Sequence, residues 1–191
     1  MTLFKSNRER RLWLCVLLVV IAIYSSLGLV GALAGILREK NLLGSLFFIS
    51  FLMILAAIIG SGLQRRAGKR EIWVTVGIIA VYGMMFSRLG SLEERTHLFE
   101  YGVVAILIHQ AFLERLNQGG RVPVPAVLAV VLTAILGWLD EGIQAHLPNR
   151  VYDFVDVGVN FLSALMAVTA SVVLRWSRKR IEEGRQKKFQ D

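Results

Sequence analysis

The chain alternates long uncharged apolar runs with short charged clusters. Six runs stand out, at roughly 12–37, 42–63, 71–90, 96–115, 124–145 and 155–176. A helix of about 18 or more apolar residues covers the hydrocarbon core of a bilayer, whereas a barrel strand needs only about 9–11. Backbone amides find no water inside lipid, so each run must close its hydrogen bonds within itself. The pattern therefore predicts an all-α fold, a polytopic transmembrane helix bundle of about six spans. The first, second and sixth runs are continuous. The third is shorter and ends near Ser87 and Arg88, and the fourth and fifth give way to polar residues before their ends.

Punctuation between the runs divides the chain. Residues 1–70 read as an amino-terminal transmembrane hairpin of two spans, 71–176 as a four-helix membrane core, and 177–191 as a basic cytoplasmic tail. Pro123 and Pro125 mark the start of the fifth helix, where a missing N–H costs little. The first run follows the basic residues of 1–11 and contains Ala32-Leu33-Ala34, a signal-peptidase-like triplet. It is well beyond the roughly 7–15 residues of a secretory core, and so reads as an uncleaved helix.

Composition agrees with this division and charge orients it. Hydrophobic residues make up 55% of the 191 positions and charged residues 19%, with a mean hydropathy of +0.57. A soluble domain carries about 45–50% and about 25%. Seventeen of the 22 basic residues fall on one side if the amino terminus is cytoplasmic: in 1–11, around Arg65–Arg70, at Arg115 and Arg121, and from Arg175 to Lys188. Only Arg38, Lys40, Arg88, Arg95 and Arg150 fall on the other. This is the bias of cytoplasmic loops, so both termini are expected inside and the chain in the bacterial inner membrane. Trp13, Trp73 and Trp176 sit at inner span ends and Trp138 at an outer one, as an aromatic belt requires. The net charge of +8 then reports topology rather than nucleic-acid binding, and the expected partners are membrane lipids; the polybasic tail reads first as a topology anchor, with contact to anionic head groups as the alternative. The single cysteine, Cys15, excludes an internal disulfide and reads as a small buried hydrophobe.

The interruptions in the later runs carry the candidate chemistry. His97, Glu100 and Tyr101 fall in the first outer turns of the fourth helix, and spacings of three and four put them on adjoining faces. Asp140, Glu141 and Gln144 fall in the last outer turn of the fifth. Asp156 and Asn160 stand one turn apart as the sixth re-enters, and the short connection between holds Arg150 and Asp153. Three helices thus bring carboxylates, amides, an imidazole and a phenol to one membrane level. Ionisable residues in or near hydrocarbon are costly and either pair or line a cavity. Pairing of Arg150 with Asp153 or Asp156, and of His97 with a carboxylate, is one expectation, and a structural polar plug is the plain reading. The functional reading is a site for a cationic or hydrogen-bonding envelope ligand, or an acid–base pair of Glu141 with His97. A metal held by His97, Glu100, Glu141 and Asp156 matches no known spacing motif, so no metal or other cofactor is expected. His109 and Gln110 lie deeper in the fourth helix; an interior hydrogen-bonded histidine is the plain reading there, and a proton relay its rival.

The same residues resemble the VanZ-like family of bacterial membrane proteins. Glu94-Arg95-Thr96-His97-Leu98-Phe99-Glu100-Tyr101-Gly102 is similar to that family's first motif, a His followed by Glu-Tyr-Gly at a helix start. Gly137-Trp138-Leu139-Asp140-Glu141-Gly142-Ile143-Gln144 is similar to its second, and Pro148 to Asp153 with Asp156 and Asn160 to its third. The resemblance covers roughly 72–175. Ser163 and Ala167 stand where many members carry glycine. The resemblance implies a site at the outer cluster and, through a founding member associated with low-level teicoplanin resistance, a link to the envelope. It implies no reaction. The reading is a membrane protein that binds an envelope or lipid-linked ligand, with two rivals: a membrane enzyme acting on such a substrate, and an accessory subunit or assembly factor docking to a membrane protein partner through the first two helices.

Overall fold

A computed structural model describes residues 3–40, 42, 69–90, 92–147 and 152–188. Among these the chain is all-helical, with five helices and no strand: α1 (Asn7–Glu39), α2 (Lys69–Arg88), α3 (Leu92–Asn117), α4 (Pro125–Gln144) and α5 (Phe154–Lys188). Three segments, Glu94–Asn117, Pro125–Gln144 and Phe154–Arg180, are long and apolar enough to cross a membrane, and Ile72–Arg88 is a shorter apolar helix. The protein is a membrane protein built on helices. The expected first run falls inside α1, whereas the expected second lies outside the described residues apart from Leu42.

Local chemistry sets the helix ends. Ser6 caps α1 by accepting the Glu9 N–H on its Oγ at 3.0 Å, and the Glu9 carboxylate reaches back to the Lys5 N–H at 2.6 Å. This is a variant of the Ser-x-x-Glu capping box, and it carries the helix through the basic residues that precede the apolar run. The end of α3 is a Schellman turn: Gly120 N–H bonds to Arg115 O at 2.9 Å and Gly119 N–H to Leu116 O at 3.0 Å. Gly119 takes φ 74°, the left-handed conformation that only glycine adopts freely. Pro125 opens α4 as expected, and Val124 before it is held at φ 41°, a strained position for a β-branched residue. Asp153 caps α5 through its Oδ1, which accepts the Val155 N–H at 2.7 Å. With no proline after it, α5 runs on as helix through the polybasic stretch to Lys188.

The bundle is organised around α3, which packs against α1, α4 and α5, while α2 lies against α5. Leu98, Tyr101, Val104, Ala105, Ile108 and Ala111 recur at helical spacing along α3, and all are buried. Ser163, Ala164 and Ala167 of α5 are fully buried, so the two small residues where glycine was weighed still allow close helix approach. Leu17, Leu18, Ile21, Val131, Ile135 and Phe161 face outward, an apolar surface suited to lipid rather than water. Cys15 is exposed on that surface, contrary to the expectation of burial, because it lies on the face of α1 turned away from α3. The Tyr24 hydroxyl ties α1 to α4 by donating to Leu136 O at 2.8 Å.

At one end of the bundle an ionic joint fastens α1 to α3. Glu9 is fully buried, with its Oε1 3.0 Å from Arg115 Nε, and Arg115 also donates to Leu3 O at 2.6 Å. Glu114 accepts from Ser6 Oγ at 2.9 Å and pairs with Arg8 at 3.5 Å. The start of α1 and the end of α3 therefore share one end of the bundle. The polar turns of α3, α4 and α5 occupy the other.

Candidate functional site

The site forms where α3 begins, α4 ends and α5 begins. A helix that enters a bundle beside one that leaves it brings its first turn level with the other's last turn. Two further approaches fix the level. Leu89, after α2, packs with Leu98 and Val159. Arg95 donates to Leu89 O at 3.1 Å, with its guanidinium over the Phe86 ring.

His97 lies at the centre and is buried. Its Nδ1 is 3.8 Å from Asp140 Oδ2 and 3.9 Å from Glu100 Oε2. Its Nε2 is 3.8 Å from Glu141 Oε1 and 3.9 Å from Asp156 Oδ2. One imidazole is thus surrounded by four carboxylates carried on three helices. Asp140 and Glu141 are neighbours in sequence and still both fully buried, because the last turn of α4 is enclosed by α3 and α5.

The surroundings hold these groups in place. Gln144 Nε2 donates to Asp140 Oδ2 at 3.3 Å and lies 3.5 Å from Glu141 Oε1, so one amide spans both carboxylates. The Asp153 N–H points to Glu141 Oε2 at 3.4 Å. The Tyr101 hydroxyl faces the Asp140 carboxylate, and the ring stands 5.9 Å from that of His97. Asn160, one turn inward from Asp156, donates from Nδ2 to Gly137 O at 3.3 Å, and its Oδ1 has no hydrogen-bond partner among the described residues. The Glu100 side chain is 36% exposed and that of Asp156 12% exposed, so the cluster meets its surroundings along that edge.

Of the ten residues singled out from sequence, eight converge here: His97, Glu100, Tyr101, Asp140, Glu141, Gln144, Asp156 and Asn160. Asp153 is exposed, and its side chain is engaged in capping α5; only its N–H reaches the cluster. Arg150 lies outside the described residues, and with it the expected pairing to Asp153 or Asp156. His109 is buried and meets Ser171 Oγ at 3.3 Å, as the reading of an interior hydrogen-bonded histidine requires. Gln110 is exposed and lines a groove walled by α2, α3 and α5.

Sequence reasoning missed the joint at the opposite end. Glu9 is the lone acid among Arg8, Arg10 and Arg11, and the Ser6-Asn7-Arg8-Glu9 capping pattern was the signal for it. It also missed Thr133, fully buried in α4, which no spacing rule marks. Comparison with family models, with curated proteins and with solved structures finds no match.

Proposed function

We propose that this chain is a VanZ-like protein of the bacterial inner membrane, with six spans and both termini cytoplasmic. Its outward cluster binds an envelope or lipid-linked ligand that is cationic or rich in hydrogen-bonding groups. The observation that carries the reading is the burial of Asp140 and Glu141 beside His97, with Glu100 and Asp156 at the open edge. Buried ionisable groups are costly wherever water is scarce, and several on three helices at one level suit a ligand that shares their protons or charge. The basic residues of the first turns of α1, the end of α3 and the end of α5 support the orientation, because they gather at the end opposite the cluster.

The experiment compares cells carrying the wild type with cells carrying Glu141→Gln or His97→Ala, each at matched membrane abundance. The readout is susceptibility to envelope-directed agents, glycopeptides included. The account expects both variants to behave as the deletion. Wild-type behaviour in both reduces the cluster to a structural plug. A second reading rests on the 3.8 Å approach of His97 Nε2 to Glu141 Oε1. Glu141 would exchange a proton with an envelope substrate and His97 would act as its partner. Turnover of a lipid-linked substrate by the wild type, lost in Glu141→Gln with binding retained, distinguishes an enzyme from a binder.

A further inference from the structure

The cluster contains the donor set of a metal site. One donor atom from each of His97, Asp140 and Glu141 lies within 4.8 Å of the other two, and all three residues are buried. Two donors each about 2.1 Å from one first-row ion stand roughly 3–3.5 Å apart in tetrahedral or octahedral geometry. On the Nε2 side of the His97 ring, Glu141 Oε1 at 3.8 Å and Asp156 Oδ2 at 3.9 Å are a few tenths of an ångström wider than that, while Asp140 Oδ2 stands 3.8 Å from the other ring nitrogen, Nδ1. They are also well beyond the 2.7–2.9 Å of a charge-assisted hydrogen bond. The two carboxylates on the Nε2 side are therefore spaced to share a cation more than to hold the imidazole directly.

Two independent features point the same way. The Asp153 N–H holds Glu141 through Oε2, the carboxylate oxygen not facing His97, as outer groups orient metal ligands, and Gln144 Nε2 spans the two oxygens that do face it, Asp140 Oδ2 and Glu141 Oε1. Asn160 also brings a fully buried Oδ1 with no partner among the described residues to the level of Gly137, one turn inward from Asp140 and Glu141. That oxygen suits a bound water or a ligand group below an ion. No sequence motif marks the site, because its donors come from two separate helices rather than from one short segment.

We propose that His97, through one ring nitrogen, and Asp140 and Glu141 hold one divalent first-row transition cation of the zinc or manganese class, with Asp156 at the edge of the cluster as a fourth donor. The imidazole selects against calcium and magnesium, which take oxygen ligands. The exposed edge leaves room for a further ligand on the ion, such as a hydroxyl or carbonyl oxygen of a ligand rich in hydrogen-bonding groups. This inference rests on the cluster being a binding site, but its readout involves only the ion.

The test uses the full chain, purified in mild detergent, stripped with a chelator and titrated with Zn2+ and with Mn2+. Stoichiometry is read by elemental analysis and affinity by calorimetry. The expected result is one saturable ion per chain, uncompeted by excess Ca2+. Glu141→Gln and Asp140→Asn should abolish it, and Gln144→Ala should weaken it about 10–100-fold by freeing the carboxylates. Glu39→Gln, an exposed acid outside the cluster, should change nothing. Wild type that binds no stoichiometric ion overturns the proposal. So does binding that Ca2+ displaces equally well, or binding that survives in Glu141→Gln. If Asp140→Asn does not fold, Gln144→Ala, which removes no proposed ligand, decides: unchanged affinity there overturns the proposed arrangement. Loss of the envelope phenotype in the preceding experiment with no ion bound would leave the binding site intact and remove the metal alone.

Discussion

Gly137 and Asn160 meet so closely that no side chain fits between them: a Cβ added at 137 would fall 2.6 Å from Asn160 Cβ and 3.0 Å from its Cγ and Nδ2. The contact sets the distance between α4 and α5 one turn below the carboxylates. Gly137→Ala gains helix propensity of about 1 kcal/mol. The overlap falls on Asn160 Cβ, which cannot swing away as the end of a long side chain could, and overpacking costs about 1–3 kcal/mol. A net loss of thermal stability in detergent is expected, with displacement of Asn160 from the Gly137 carbonyl. A melting temperature at or above that of the wild type would show that the helices yield freely.

The ionic joint at the other end responds asymmetrically to its two partners. Arg115→Ala leaves the fully buried Glu9 carboxylate without its guanidinium, and breaking a buried pair costs about 3–5 kcal/mol. The Arg115 side chain as a whole is 36% exposed, so the lower end of that range is expected. Glu9→Gln keeps the shape and removes the charge, and should cost less. Thermal melting, together with protease sensitivity of the first turn of α1, reads both. Equal effects from the two variants would contradict the account.

Tyr24 supplies a polar tie between α1 and α4, one turn below Asp140. Tyr24→Phe removes the donor to Leu136 O and should destabilise by about 0.5–1.5 kcal/mol, without altering any cluster-dependent phenotype. A change in that phenotype would mean that α1 positions the end of α4.

The two ends of the bundle should differ in accessibility. In a Cys15→Ser background, Ala145→Cys and Gln118→Cys place thiols at exposed positions after α4 and after α3. A membrane-impermeant maleimide added to intact spheroplasts should label the first and spare the second. The reverse pattern would invert the proposed topology.

Much of this architecture was legible in the sequence because lipid imposes a simple rule. Apolar length marks the helices, and polar residues inside an apolar run stand out against it. His97, Glu100, Tyr101, Asp140, Glu141, Gln144, Asp156 and Asn160 were visible for that reason, and helical spacing put them at one level. What stayed hidden depends on packing between elements. The start of α1 at Asn7 comes from a cap formed by Ser6 and Glu9, not from hydropathy. Glu9 is buried because α1 reaches Arg115, a contact across more than a hundred residues that no local pattern encodes. The capping role of Asp153 was masked by its place beside the other acids. Cys15 was misjudged because an apolar residue in a membrane helix can face lipid as readily as protein.

The central claim is that the cluster around His97 binds a molecule of the envelope. Native mass spectrometry of the full chain, released from its own membranes in mild detergent, tests it most directly. The wild type should carry a discrete non-covalent adduct heavier than bulk phospholipid or richer in basic groups, and both His97→Ala and Glu141→Gln should lose it while keeping their bound phospholipids. Identical adduct patterns in the three proteins would contradict the claim.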